Sequence, residues 1–181
     1  MNLQPLFMNR DSLDNYEPHC SNINWCNLRP LTTDKFSVLS LNARSIGNKF
    51  SELISTLKIS KCKFTFIIIV ETWLKEHSDV NLNIKGYKSV SLYRDGSRRG
   101  GGIKIYYADC LTVTISETIS GCFDSCESLF ISTKMPKIGK LTIGAIYRPQ
   151  ERNITSFCSH LAETLSLIGT SKSIVVGNRV I

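Results

Sequence analysis

The run Phe64-Thr65-Phe66-Ile67-Ile68-Ile69-Val70, which ends in Glu71-Thr72-Trp73-Leu74, constrains the fold more than any other stretch. β-branched and aromatic side chains favour a pleated strand. A short, nearly unbroken apolar run reads as a strand buried on both faces. It is too short for a membrane span, which needs about 20 apolar residues. A carboxylate just past such a strand sits rigidly at the sheet edge where open α/β sheets place their chemistry. A single glutamate after a strand is also what a solvated loop looks like, so its neighbours have to decide.

Those neighbours form a unit. Phe36-Ser37-Val38-Leu39-Ser40-Leu41 reads as a strand ending at Asn42-Ala43-Arg44-Ser45. Ile46, Phe50, Leu53, Ile54 and Leu57 then recur at helical spacing, with Ser45 expected as the N-cap. Strand, helix and strand over residues 36–71 predict a βαβ unit with parallel neighbours. Both Asn42 and Glu71 then fall at strand C-terminal ends, on one edge of the sheet.

Downstream, Gly86-Tyr87 enters a strand running to about Tyr93. The segment Arg94-Asp95-Gly96-Ser97-Arg98-Arg99-Gly100-Gly101-Gly102 reads as a hairpin turn before a strand at Ile103, Ile105 and Tyr107. The glycine run is no phosphate-cradling P-loop, since no Lys-Ser/Thr follows and a strand comes next. It is expected to be a flexible turn. Arg94, Arg98 and Arg99 beside it are either phosphate-backbone contacts or a solvated turn.

Alternation at Leu111, Val113 and Ile115, at Leu129 and Ile131, and over Leu141–Tyr147 predicts further strands, the last closed by Arg148-Pro149. They are expected to extend the sheet as an antiparallel meander. Ile154, Phe157, Leu161, Leu165 and Ile168 mark a second helix with Gly169 as its C-cap. Ser173-Ile174-Val175-Val176-Gly177 is a final buried strand. Residues 1–34, rich in Asn, Asp, Ser and Pro and without a period, read as a poorly ordered leader or linker. The half metal site that His19, Cys20 and Cys26 might outline is set aside in favour of that reading. Residues 35–181 are the domain.

The chain has 181 residues and a net charge of +7, which fits a polyanionic partner. Its seven cysteines include no C-x-x-C, and they are expected to be free thiols of a reducing compartment. The start has no basic, then apolar pattern of a signal peptide, so an intracellular place, nucleus or cytoplasm, is expected, with no membrane partner.

Taken in order, the motifs are Asn42-Ala43-Arg44-Ser45, Glu71-Thr72-Trp73-Leu74, Gly86-Tyr87 and Arg99-Gly100-Gly101-Gly102-Ile103. Glu127-Ser128-Leu129, Ile146-Tyr147-Arg148-Pro149 and Val175-Val176-Gly177 follow. Together they resemble the endonuclease domain of non-LTR (LINE-type) retrotransposons of the jockey and chicken-repeat kind. That domain belongs to the endonuclease/exonuclease/phosphatase superfamily. The resemblance spans residues 36–181. It implies an α/β fold, part of a four-layer α/β sandwich of DNase I-like type, lacking most of the second sheet. It also implies Mg²⁺-dependent nicking of DNA, after which the element's reverse transcriptase primes on the new 3′-hydroxyl.

By the same resemblance, Glu71 is the Mg²⁺ carboxylate, a hard oxygen ligand. Asn42 bonds near metal and scissile phosphate, Tyr147 contacts the phosphate, and Arg148 leans on the DNA backbone; Arg98 and Arg99, from the basic turn itself, are the further candidate DNA contacts, with the solvated turn left open. Tyr147 has a plainer reading as a strand-end core aromatic. The departure is at Gly177-Asn178-Arg179-Val180, where the family has Gly-Asp-Phe-Asn. Asn178 stands where an aspartate should activate water. An amide accepts no proton at neutral pH, a loss of roughly 10²–10⁴ in rate. Nor is the family's Ser-Asp-His segment found. The chain therefore resembles a truncated, catalytically impaired or dead copy. Alternatives are a non-catalytic basic DNA-binding remnant, a functionless fragment, or a lipid or inositol phosphoesterase of the same superfamily.

Overall fold

The computed structural model describes residues 2–7, 36–60, 63–76, 82–94, 100–136 and 138–179. In order, β1 is Asn2–Phe7, β2 Ser37–Asn42, α1 Phe50–Ser60, β3 Phe66–Val70, β4 Tyr87–Leu92 and β5 Ile103–Ala108. Then come β6 Val113–Ile115, β7 Gly121–Cys122, β8 Glu127–Met135, β9 Gly139–Arg148, α2 Ile154–Ile168 and β10 Lys172–Arg179.

The strands form two sheets. The first has the order β1-β2-β3-β5-β4, and the second β10-β9-β8-β6 with β7 also paired to β8. Within the first, β2 and β3 are parallel, in register Asn42 opposite Val70, as the βαβ reading requires. The β9-α2-β10 segment repeats that arrangement in the second sheet, with β10 parallel to β9.

The sheets pack face to face. Phe66, Ile68 and Val70 of β3 and Ile103 and Ile105 of β5 meet Leu129 and Ile131 of β8 and Ile143 and Ala145 of β9. The alternate residues of β3, Ile67 and Ile69, point the other way, onto Leu53, Phe50, Ile54 and Leu57 of α1 and its approach. On the far side, Phe130, Ile146 and Val175 meet Phe157, Leu161 and Ile168 of α2. Helix, sheet, sheet and helix are thus four layers, and β3 is continuously apolar because each of its faces is covered. Fully burying one such Ile is worth about 1.5–3 kcal/mol.

Four expectations change. The strands from Val113 onward do not extend the first sheet. They build the second, because their alternation specifies one buried face without saying which sheet it faces. The second sheet is therefore not mostly missing: five of its strands stand among the described residues, and they cover the first. The leader, read without any element, contributes β1, antiparallel to β2 with Asn2 opposite Asn42; residues 8–35, with His19, Cys20 and Cys26, lie outside the described residues. Ser45 does not cap a helix. It holds φ 78°, and a 3-10 turn, Gly47–Lys49, with no side-chain cap precedes α1. The α2 C-cap is as expected: Gly169 takes φ 63° and donates its N–H to Leu165 O. Cys110, Cys122, Cys126 and Cys158 are free thiols.

Candidate active site

Two loops leave the first sheet side by side, after β2 and after β3. Ala43 N donates to Val70 O at 3.0 Å, Ser45 N to Glu71 O at 2.9 Å and Ile46 N to Thr72 O at 3.0 Å. The parallel pairing of β2 and β3 thus continues into their exits. Lys49 Nζ donates to Ala43 O at 2.6 Å and to Arg44 O at 3.3 Å, tying the first loop to the helix approach.

The backbone is strained here and nowhere else among the described non-glycine residues. Arg44 (φ 43°), Ser45 (78°), Glu71 (53°) and Trp73 (56°) all lie in these two loops. The left-handed region costs a bulky side chain roughly 1–2 kcal/mol. Clustering of such residues marks functional edges, where the surrounding structure holds them in place.

The strain aims two polar side chains at each other. Asn42 Nδ2 donates to Glu71 Oε1 at 2.7 Å, and Asn42 Oδ1 accepts from Arg44 N at 3.1 Å. The second contact orients the amide, so that its NH₂ faces the carboxylate. Glu71 is only 5% exposed, and this hydrogen bond partly compensates the burial of its charge.

The second sheet delivers its own residues to the same edge. Glu127 opens β8 opposite Tyr147, near the end of β9. Position 178 of β10 is paired with Tyr147 on the other side. Directly opposite residues share a face of the sheet, so Glu127 and Tyr147 both turn towards the first sheet. Tyr147 is buried, and its phenol is pushed up to about 12. Burial is the largest cause, and the neighbouring Glu71 carboxylate adds to it, with Arg94 opposing. Arg94 lies over the Tyr147 ring, its guanidinium carbon 5.9 Å from the centroid. Its Nε is hydrogen-bonded and ion-paired to Glu127 Oε1. Burial alone lowers the Arg94 pKa, but the Glu127 bond and charge outweigh it, and the guanidinium is held more firmly protonated than usual.

Asn42, Glu71 and Tyr147, named from the sequence, are therefore brought to one edge, with the backbone of Asn178 beside them. Arg98 and Arg99 lie outside the described residues. Arg148 is drawn inward instead of towards a DNA backbone. It is buried, and its Nη1 donates to Pro149 O (3.3 Å), Gln150 O (3.4 Å) and Arg152 O (2.8 Å), closing the turn after β9. Glu127 received no role from the sequence, and Arg94, read with Arg98 and Arg99 as a phosphate-backbone contact or a solvated turn, is instead paired with Glu127. A charged residue at the head of a strand with alternating apolar residues was the available signal for Glu127. An opening of about 990 Å³ lies at the far end of the sandwich, against Phe36, Phe64, Leu111 and Met135, and none of these site residues lines it.

No protein-family model matches the chain, and no curated protein matches it by sequence. Solved structures do match. The endonuclease domain of TRAS1, a telomere-specific non-LTR retrotransposon, aligns over 79% of this chain and 58% of its own, with 13% identity and a TM-score of 0.59. The AP endonuclease LMAP from Leishmania major aligns over 84% and 60%, with 14% identity and a TM-score of 0.58. The mannosyl-6-phosphatase Bt3783 of Bacteroides thetaiotaomicron aligns over 78% and 64%, with 15% identity and a TM-score of 0.53. This chain thus spans about 60% of the length of the structures it matches. Its two face-to-face sheets with a helix outside each make this a chain with the DNase I-like fold of the endonuclease/exonuclease/phosphatase proteins.

Proposed function

We propose that the Asn42–Glu71–Tyr147 edge is a phosphodiester-hydrolysing site of the retrotransposon endonuclease type, acting on DNA with Mg²⁺ and weakened by Asn178. The observation that carries it is the 2.7 Å bond from Asn42 Nδ2 to Glu71 Oε1 in a doubly strained loop pair at the strand C-terminal edge. The matched structures are nucleases and phosphatases, which supports a phosphate ester as substrate.

The donor set fits Mg²⁺ of the loosely held kind. Glu71 supplies a carboxylate whose Oε1 is already oriented by Asn42. No third His, Cys, Asp or Glu joins a metal cluster among the described residues. Mg²⁺ is commonly held by one or two carboxylates, with water and substrate phosphate completing its shell. When bound, it would stabilise charge on the phosphate and the leaving oxygen.

The chain's own residues do the rest. Tyr147 keeps its proton at any physiological pH, so its hydroxyl is a donor suited to a phosphate oxygen. Arg94, beside it, adds fixed positive charge where the phosphate gains negative charge. Position 178, whose backbone is paired with Tyr147, carries an amide, which takes no proton at neutral pH, so the step is slow by roughly 10²–10⁴. The net charge of +7 favours a polyanion over a small phosphate ester.

The test is nicking of supercoiled plasmid with Mg²⁺, against EDTA and against Glu71→Ala. Slow nicking that needs both Mg²⁺ and Glu71 supports the reading. Folded protein that leaves the plasmid intact, even at long times and high enzyme, refutes the activity. Retained DNA binding that falls steeply with salt would then leave a non-catalytic DNA-binding domain.

A further inference from the structure

Glu127 is a buried carboxylate, 4% exposed, that the proposed reaction leaves without a task. It faces no solvent and is paired on both oxygens. Oε1 takes Arg94 Nε, and Oε2 accepts from Gly102 N at 2.6 Å. A carboxylate buried at such a cost is stable only when both contacts are made.

The contacts lead onward. Gly102 O accepts from Thr72 N at 3.2 Å, and Gly101 O accepts from Trp73 N at 2.9 Å. Those two amides belong to the two residues directly after Glu71, which is held at φ 53°, and Trp73 is itself held at φ 56°. The Gly100-Gly101-Gly102 segment therefore stands between Glu127 and the strained Glu71 loop. It is packed tightly there. A Cβ on Gly101 would lie 2.5 Å from Arg94 Nε and 2.6 Å from Glu127 Oε2, and one on Gly102 would lie 2.5 Å from Thr72 Oγ1. Glycine is required because the backbone passes between two charged groups and the loop it supports. The other arm holds Arg94 over Tyr147, so both arms of Glu127 reach residues of the proposed site.

We propose that Glu127 is a positioning residue: through Gly102 it fixes the backbone of the Glu71 loop, and through Arg94 it fixes the cation beside Tyr147. The clamp joins the two sheets at the site edge, since Glu127 belongs to β8 and the loop to the first sheet. Its consequence for metal binding rests on the reading of Glu71 as the Mg²⁺ carboxylate; the clamp itself does not.

Two variants, Glu127→Ala and Glu127→Gln, test it. The first readout is amide hydrogen exchange of Thr72 and Trp73 in metal-free protein, with Ile68 and Phe130 as interior references. Glu127→Ala is expected to speed exchange at Thr72 and Trp73 by about tenfold or more, the scale of a lost hydrogen bond to a charged group, with the references unchanged. Glu127→Gln keeps an acceptor for Gly102 N–H and is expected to restore most of the protection. The second readout is calorimetric titration with Mg²⁺, where Glu127→Ala is expected to weaken binding by about tenfold. Unchanged exchange at Thr72 and Trp73 overturns the proposal. Faster exchange with unaltered Mg²⁺ affinity upholds the clamp and overturns its consequence for metal binding. Faster exchange in a protein whose unsubstituted form binds no Mg²⁺ upholds the clamp and refutes the metal site instead.

Discussion

Substituting Gly101 by alanine is expected to be far more damaging than a turn glycine should allow, and a set of glycines separates the causes. Gly47 has an ordinary backbone and nothing within 4 Å of an added Cβ. Gly47→Ala is expected to stabilise by about 0.4–1 kcal/mol, through lost freedom of the unfolded chain. Gly139 takes φ +84° in open space. Gly139→Ala meets left-handed strain of roughly 1–2 kcal/mol, less that same unfolded-state gain, for a net loss of about 0.5–1.5 kcal/mol. Gly101 combines φ +70° with a Cβ position 2.5 Å from Arg94 Nε and 2.6 Å from Glu127 Oε2. Displacing that pair adds about 1–3 kcal/mol, as overpacking does, so with the same net backbone term Gly101→Ala is expected to cost about 1.5–4.5 kcal/mol. Urea unfolding at constant slope reads all three. The reasoning fails if Gly101→Ala costs no more than Gly139→Ala. The run would then be only a turn, as its composition alone indicates, and the packing against Glu127 would carry no energy.

Other outcomes follow from the same contacts. Raising the pH should destabilise the protein through Tyr147. Its folded pKa, about 12, lies above the ordinary 10. Between those values the unfolded state sheds the proton that the folded state keeps, so stability falls as pH rises. Tyr147→Phe should flatten that part of a stability–pH curve, and an equal slope in both proteins would refute the assignment. Asn42→Ala should cost about 1–3 kcal/mol, because Glu71 and the Arg44 amide each lose their Asn42 partner. Asn42→Asp should leave two carboxylates within hydrogen-bond reach and raise the pKa of one of them, visible as a carboxyl titrating above its usual range by NMR. Absence of any raised carboxyl would show that the two side chains part freely.

The parts of the fold set by one-dimensional patterns were legible. The β2-α1-β3 unit followed from Phe36–Leu41, the Leu53 stripe and the Ile67–Val70 run, and parallel pairing placed Asn42 against Glu71 as expected. Alternation in β8 and β9 showed which residues are buried but not against what, so the second sheet was read as an extension of the first. β1 was missed because a segment containing Pro5 can be an edge strand, pairing with β2 on one side only, without a strong pattern of its own. At the site, the strand-end placement of Asn42, Glu71 and Tyr147 on one edge was legible. The pairing of Arg94 with Glu127 was not, because it is a contact across 33 residues. Arg148 was misjudged for a related reason: nothing in Tyr-Arg-Pro reveals that the guanidinium turns back onto its own turn's carbonyls.

The most direct test of the site is Asn178→Asp. Position 178 is paired with Tyr147, so on the proposed reading a carboxylate there supplies a proton acceptor beside the Tyr147 strand position. With Mg²⁺ and supercoiled plasmid, Asn178→Asp is expected to nick roughly 10²–10⁴ times faster than the natural sequence. Adding Glu71→Ala or EDTA should abolish the gain. A folded Asn178→Asp protein that nicks no faster, or whose nicking survives the loss of Glu71, would contradict a metal-dependent phosphodiester site at this edge.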